Sequence, residues 1–245
     1  MVIPRPQDAR HKYQLYRLLT AILSENTLAN ALFFKGGTYA AMRGLLPRFS
    51  IDLDFDLLDK SRIPEFREKL HYLLSSLGFT IDQESKNALQ FFLKYQAPLR
   101  ERNTLKLEIT DIVSPKNTYE TINLPELNLV CKGQTVSTMV ANKIVASLAR
   151  IEKNGHPAGR DFYDLHQFFI AGLPVNIEVV EERTGKPYVT YLKEIIEYIE
   201  KSLSWQDLYQ DLNALLPNEG FKSSVQKLPA ELILLLQDEV KRRQP

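Results

Sequence analysis

Apolar residues recur at helical spacing through residues 1–30, at Leu15, Leu18, Leu19, Ile22 and Leu23, and predict a helix. ALFF (31–34) is a short strand candidate, and TYAAMRGLL, after two glycines, suits a short helix. Residues 50–58 alternate strictly and predict a strand. Its one face carries Ile51, Leu53, Phe55 and Leu57, and its other face Asp52, Asp54 and Asp56. Residues 63–78 read as an amphipathic helix closed by Gly78, followed by strand-like runs at 79–83, 89–96 and 104–112. From Thr135 the texture turns helical, at 135–153, 160–171, 176–184, 188–202, 204–215 and 229–243. The expectation is an α+β half with a mixed or antiparallel sheet, then a helical half, with the boundary near 131–135.

Composition adds bounds. The chain has 245 residues, 44% apolar and 25% charged, with a net charge of +1. These values fit a globular protein and argue neither for nor against a nucleic-acid partner. A single cysteine, Cys131, excludes an intrachain disulfide framework and fits a reducing compartment. The first ten residues lack the apolar stretch of a secretory signal, and LILLL (232–236) is too short to span a bilayer. The expected location is the cytoplasm, with no membrane partner.

Three aspartates on one strand face are a poor choice for a plain strand, because aspartate disfavours strands and like charges repel along a face. The plain reading is a solvated acidic face. The functional reading is a pair of carboxylates, Asp52 and Asp54, that hold divalent cations such as Mg²⁺ shared with substrate phosphates. Gly36 and Gly37, followed by Thr38, form either a tight strand-to-helix turn or a turn whose bare backbone approaches a phosphate. In TLKLEITDIV (104–113), Glu108 shares a face with Lys106 and Thr110 and is the natural third acid if this strand lies beside 50–58; Asp111 falls on the apolar parity. The alternative is a solvent-facing Lys/Glu pair. On 135–153, Val136, Val140, Ile144 and Leu148 form an apolar stripe, and Lys143, Ser147 and Arg150 lie on a neighbouring face. Asp161 and Asp164 share a helical face, with Phe162, Leu165 and Phe169 expected to bury. Acids in a first helical turn need no functional explanation.

Taken together, Gly36-Gly37-Thr38, then Arg48-x-Ser50-x-Asp52-x-Asp54-Phe55, Glu108, Lys143 and Arg160-Asp161-Phe162-Tyr163-Asp164-Leu165 resemble the AbiEii/AbiGii toxin family of the polymerase-β-like nucleotidyltransferase superfamily. The likeness spans residues 30 to 170, and Glu108 stands where the family more often has aspartate. It implies a nucleotidyltransferase sheet domain over 1–134 and a helical domain over 135–245 that completes the nucleotide cleft. It also implies transfer of a nucleoside monophosphate from an NTP to an acceptor hydroxyl. Asp52, Asp54 and Glu108 would hold two Mg²⁺ ions, and Gly36, Gly37 and Thr38 would cradle the β and γ phosphates. Lys143 would neutralise the triphosphate, Arg48 would orient the acid strand or touch phosphate, and Asp161 would be a base or a positioning group. The implied role is the toxin of a toxin–antitoxin pair, with the tRNA 3′ end as acceptor and a cognate antitoxin as partner. Two other readings are an antibiotic-type nucleotidyltransferase with a small-molecule acceptor and a non-catalytic nucleotide- or partner-binding module.

Overall fold

A computed structural model describes the backbone of residues 1–99, 101–217 and 221–243. Residues 100, 218–220 and 244–245 of the two expected domains lie outside the described residues. The chain divides into two compact units, Met1–Val113 with Thr118–Gln134, and Ser114–Asn117 with Thr135–Pro245.

The first unit is built on a seven-stranded mixed sheet. Its elements in chain order are α1 (Asp8–Ser24), α2 (Asn26–Ala31), β1 (Leu32–Lys35), α3 (Gly36–Met42), β2 (Asp52–Leu57), α4 (Ile63–Ser76), β3 (Thr80–Glu84), β4 (Leu89–Lys94), β5 (Thr104–Thr110), β6 (Tyr119–Leu124) and β7 (Leu129–Gln134). The spatial order is β3-β4-β5-β2-β1-β7-β6. β2 runs antiparallel to β1 and parallel to β5. The alternation legible in the sequence explains the core. Leu53, Phe55 and Leu57 of β2, Leu89, Phe91 and Leu93 of β4, and Leu105, Leu107 and Ile109 of β5 are all buried. The buried leucines of α1 and Phe66, Leu70 and Leu74 of α4 complete that core.

Three details differ from the sequence expectation. The first helix breaks at Glu25, whose carboxylate accepts from the Leu28 N–H and starts α2. The two glycines do not precede the short helix but are its first two residues. Strands β6 and β7 fall outside the expectation, because neither alternates cleanly: β6 buries only Leu124, and β7 carries Lys132 and Gly133 mid-strand. Gly133 is where Tyr39's ring packs, in space a side chain would fill.

The second unit is helical: α5 (Val136–Asn154), α6 (Gly159–Ile170), α7 (Ile177–Thr184), α8 (Tyr188–Ser202), α9 (Trp205–Leu212) and α10 (Phe221–Arg243). Thr135 caps α5, whose N-terminal Thr138 N–H donates to its hydroxyl, and Ser204 with Asp207 forms a capping box on α9. In α6 the core takes Phe162, Leu165 and Phe168, while Phe169 is only half-buried. α10 starts earlier than the expected residue 229, since the helix runs through Pro229. Among the described residues no helix is long and apolar enough to cross a membrane.

One buried polar contact ties α1 to the entry of β2. His11 Nε2 donates to the Ile51 carbonyl at 2.9 Å, and Nδ1 lies 2.6 Å from the Tyr95 hydroxyl. Tyr95's single proton serves either His11 or the Arg102 carbonyl, 2.8 Å away. Burial pushes the imidazole down to about 4, against a weaker opposing pull from the Ile51 carbonyl. A histidine that is easier to protonate unfolded stabilises the fold fully above the unfolded value and loses that contribution as pH falls from about 6.5 to about 4. Urea unfolding is expected to show the native protein losing roughly 3 kcal/mol across that window from this group, and His11→Gln flattening the loss. Parallel pH profiles for the two proteins would remove His11 from this role.

Candidate active site

The register of three strands sets the arrangement. Across β1 and β2, Lys35 faces Asp54; across β2 and β5, Asp54 faces Glu108 and Asp52 faces Lys106. β4 continues the rows, with Gln90 opposite Glu108 and Phe92 opposite Lys106. One sheet face therefore carries Asp52, Asp54 and Glu108 together, with a lysine at either side. The sequence proposes Glu108 only on condition that its strand lies beside 50–58, and the strands are direct neighbours.

The glycine pair abuts this row. Gly36 has φ +76°, the left-handed region, and a Cβ there would collide with the Asp54 carboxylate. A Cβ on Gly37 would lie 2.6 Å from Arg48 Nη2 and 3.0 Å from Ser50 Oγ. Both positions thus need glycine for close approach. Thr38 is fully buried, and its hydroxyl donates to the backbone carbonyl of Asp52. Arg48 is buried too and donates to the Phe49 carbonyl at 2.9 Å. These two side chains brace the turn against the acid strand, so any phosphate contact by Thr38 falls to its backbone.

The electrostatics separate the four acids of this face. Asp56 accepts from Gln134 Nε2 at 2.7 Å and Tyr119 Oη at 3.0 Å and pairs with Lys35 Nζ at 2.6 Å. Burial opposes ionisation of Glu108, yet its hydrogen bond and ion pair with Lys106 outweigh it and hold the carboxyl below the usual range. The Asp54 carboxylate receives no hydrogen bond from any described side chain. Burial first, and then the charges of Asp52 and Glu108, push it up to about 6 against the pull of Lys35 and Lys106.

Whether the acids suit a divalent cation is decided by this donor set. Among the described residues, His, Cys, Asp and Glu side chains form no group of three or more that could hold a metal ion as they stand. Glu108 is engaged by Lys106, which donates to its carboxylate. The chemistry nevertheless fits: the donors are all carboxylate oxygens, and the repulsion at Asp54 is of the kind a cation relieves.

In the helical unit, Lys143 Nζ lies 2.8 Å from Asp161 Oδ1 and 2.9 Å from Asp164 Oδ2, and Arg150 Nε lies 3.2 Å from Asp161 Oδ2. The Arg150 contact lacks hydrogen-bond alignment, leaving that Asp161 oxygen buried without a donor. Both aspartates are 0% exposed and Lys143 is 14% exposed. The i, i+3 spacing of the acids on α6 brings both to one ammonium. Arg160, which belongs to the same sequence motif, is not part of that cluster's ion pairs among the described residues. Sequence reasoning missed Lys35 as a charge partner of the acids, and it named Lys106 only as the partner of Glu108 in a solvent-facing pair. Their parity on the strands was the available signal.

A model of the family described as nucleotidyl transferase AbiEii toxin, type IV toxin–antitoxin system, matches residues 17–231. The chain belongs to this family. It is therefore a nucleotidyltransferase of the AbiEii toxin family, as the order of its sequence motifs implied. Among solved structures, it is similar to JHP933 from Helicobacter pylori, with 22% identity over 98% of this chain and 94% of that one and a TM-score of 0.59. It is also similar to MenT4, a nucleotidyltransferase toxin from Mycobacterium tuberculosis, with 18% identity over 96% of this chain and 91% of that one and a TM-score of 0.56. At these identities the two structures support the fold alone. A search of curated protein sequences found no match.

Two outcomes are expected from these groups. An acid whose value is raised by folding costs the fold stability progressively as pH rises from about 3.8 to about 6, and the full cost is present above that. Asp54→Asn should therefore raise stability at pH 7.5 by up to about 3 kcal/mol, less for the part of the carboxylate that solvent reaches, and leave it unchanged near pH 4. Thermal melts at the two pH values test this; an Asn variant that is less stable at pH 7.5 would show a structural carboxylate. Lys143→Ala removes the ammonium shared by two buried carboxylates and should cost about 3–5 kcal/mol. Adding Asp161→Asn and Asp164→Asn should return much of it, and a triple variant as unstable as the single one would refute the pairing.

Proposed function

We propose that this nucleotidyltransferase moves a nucleoside monophosphate from an NTP to the 3′-terminal hydroxyl of tRNA, and that this transfer underlies its action as a toxin. A tRNA blocked at its 3′ end cannot be aminoacylated, which gives such a transfer a toxic consequence. The family implies an antitoxin partner as well.

The observation that carries the reading is the row Lys35–Asp54–Glu108, with Asp52 on the same face and the bare backbone of Gly36 against Asp54. The acceptor hydroxyl oxygen forms a bond to the α-phosphorus as the bond to the β-bridging oxygen breaks. The hydroxyl proton leaves to solvent, and pyrophosphate departs. Asp52, Asp54 and Glu108 would hold Mg²⁺, as a pair of ions in the sense of a two-metal site, which when bound offsets phosphate charge and makes the hydroxyl more acidic. Gly36, Gly37 and Thr38 would present backbone N–H groups to the β and γ phosphates. Lys35 would keep positive charge beside the acids, and Glu108 would be released from Lys106 when it serves the cation. Lys143 would neutralise charge on the triphosphate. Asp161, held between Lys143 and Arg150, suits positioning of that lysine better than proton abstraction, since its carboxylate is fully buried and already faces two cations.

Incubating the protein with Mg²⁺, each labelled NTP in turn and total RNA is expected to label the tRNA fraction with one NTP preferred. Asp52→Asn should lower the rate about a hundredfold or more while retaining the fold. Label in a low-mass product would replace RNA with a small acceptor, and transfer by Asp52→Asn at the native rate would remove the acid strand from the chemistry.

A further inference from the structure

We propose that Phe92 is a stacking platform for the terminal base of a single-stranded RNA acceptor. The inference rests on the nucleotidyl-transfer reading above and adds where the acceptor lies. In an in-line displacement the entering and leaving oxygens sit on opposite sides of the phosphorus. The glycine pair follows β1, so the leaving pyrophosphate belongs on the β1 side of the acids. The acceptor must then approach from the opposite side, over β5 and β4.

Phe92 stands on that path. It faces Lys106, which in turn faces Asp52, so it shares the acid face two strands from Asp52, about 10 Å across the sheet. Its neighbours Phe91 and Leu93 point into the core, while Phe92 is 38% exposed on a face otherwise occupied by Gln90, Lys94 and Lys106. The ring has no aromatic or cationic partner among the described residues. The adjacent cations are already matched: Lys106 pairs with Glu108, and Lys94 with Asp82 at 2.5 Å. The strip therefore carries little net charge. Its hold on an acceptor comes from the ring, which suits one stacked base and does not suit a long electrostatic groove.

The test compares the native protein with Phe92→Ala, Phe92→Tyr and Phe92→Trp, the last in a Trp205→Phe background that removes the chain's single native tryptophan. With tRNA as acceptor, Phe92→Ala is expected to raise the acceptor KM about ten- to a hundredfold, leaving the NTP KM and kcat nearly unchanged; Phe92→Tyr should restore it. A short single-stranded RNA should quench the indole emission of the Phe92→Trp variant with little salt dependence, and NTP alone should not. An unchanged acceptor KM in Phe92→Ala, or an NTP KM that rises equally, overturns the inference while leaving the transfer reading intact. If the native protein labels no RNA, the transfer reading fails instead. The emission titration then still decides, because no quenching by RNA overturns the platform.

Discussion

Asp52, Asp54 and Glu108 place like charges on two hydrogen-bonded strands, and the polar architecture of the sheet unit answers to that repulsion. The opposite face supplies the energy that makes it tolerable. Burying Leu53, Phe55 and Leu57 contributes roughly 1.5–3 kcal/mol for each side chain, and their alternation fixes which way the acids must point. A one-residue slip of β2 would send the acids into the core, so the register that packs the leucines also assembles the site. Lys35 and Lys106 then flank the row, Thr38 holds the Asp52 backbone, and Arg48 fills the space beside Gly37. Asp54 keeps an elevated proton affinity, which marks a place where compensation from the protein is incomplete.

How much of this was legible in the chain follows from the range of the interactions. Strict alternation over 50–58 and 104–112 revealed β2 and β5, because burial on one side acts on every second residue. It did not reveal that they are parallel neighbours, since that depends on the crossover through α4, β3 and β4. The hairpin β6–β7 escaped notice because its strands are half-exposed, and pairing rather than burial defines them. The helices after Thr135 were readable from their helical texture, apart from the start of α10, which was placed at residue 229. Among the site residues, the motif order named the acids and Lys143, yet the partners of Lys143 emerged only once α5 and α6 were packed.

The carboxylates of this chain divide by what satisfies them, and the division cuts across their appearance in the sequence. Asp54 and Asp56 look equivalent, two apart on one strand. Asp56 nevertheless gains an amide, a phenol and an ammonium from β7, β6 and β1, and so serves to bind those strands together. Had it been left without them, its burial would cost several kcal/mol, on the order of an unpaired interior charge. Asp161 and Asp164 are likewise deeply buried, and Lys143 compensates both. A lysine that holds two buried acids is fixed in direction, with little of the rotamer freedom that a surface lysine keeps. Fixing it costs entropy when the chain folds, which the two buried ion pairs must offset. The same reasoning separates Lys106 from Lys143: Lys106 is paired with a single half-exposed carboxylate and can exchange that partner, whereas Lys143 is shared by two fully buried acids.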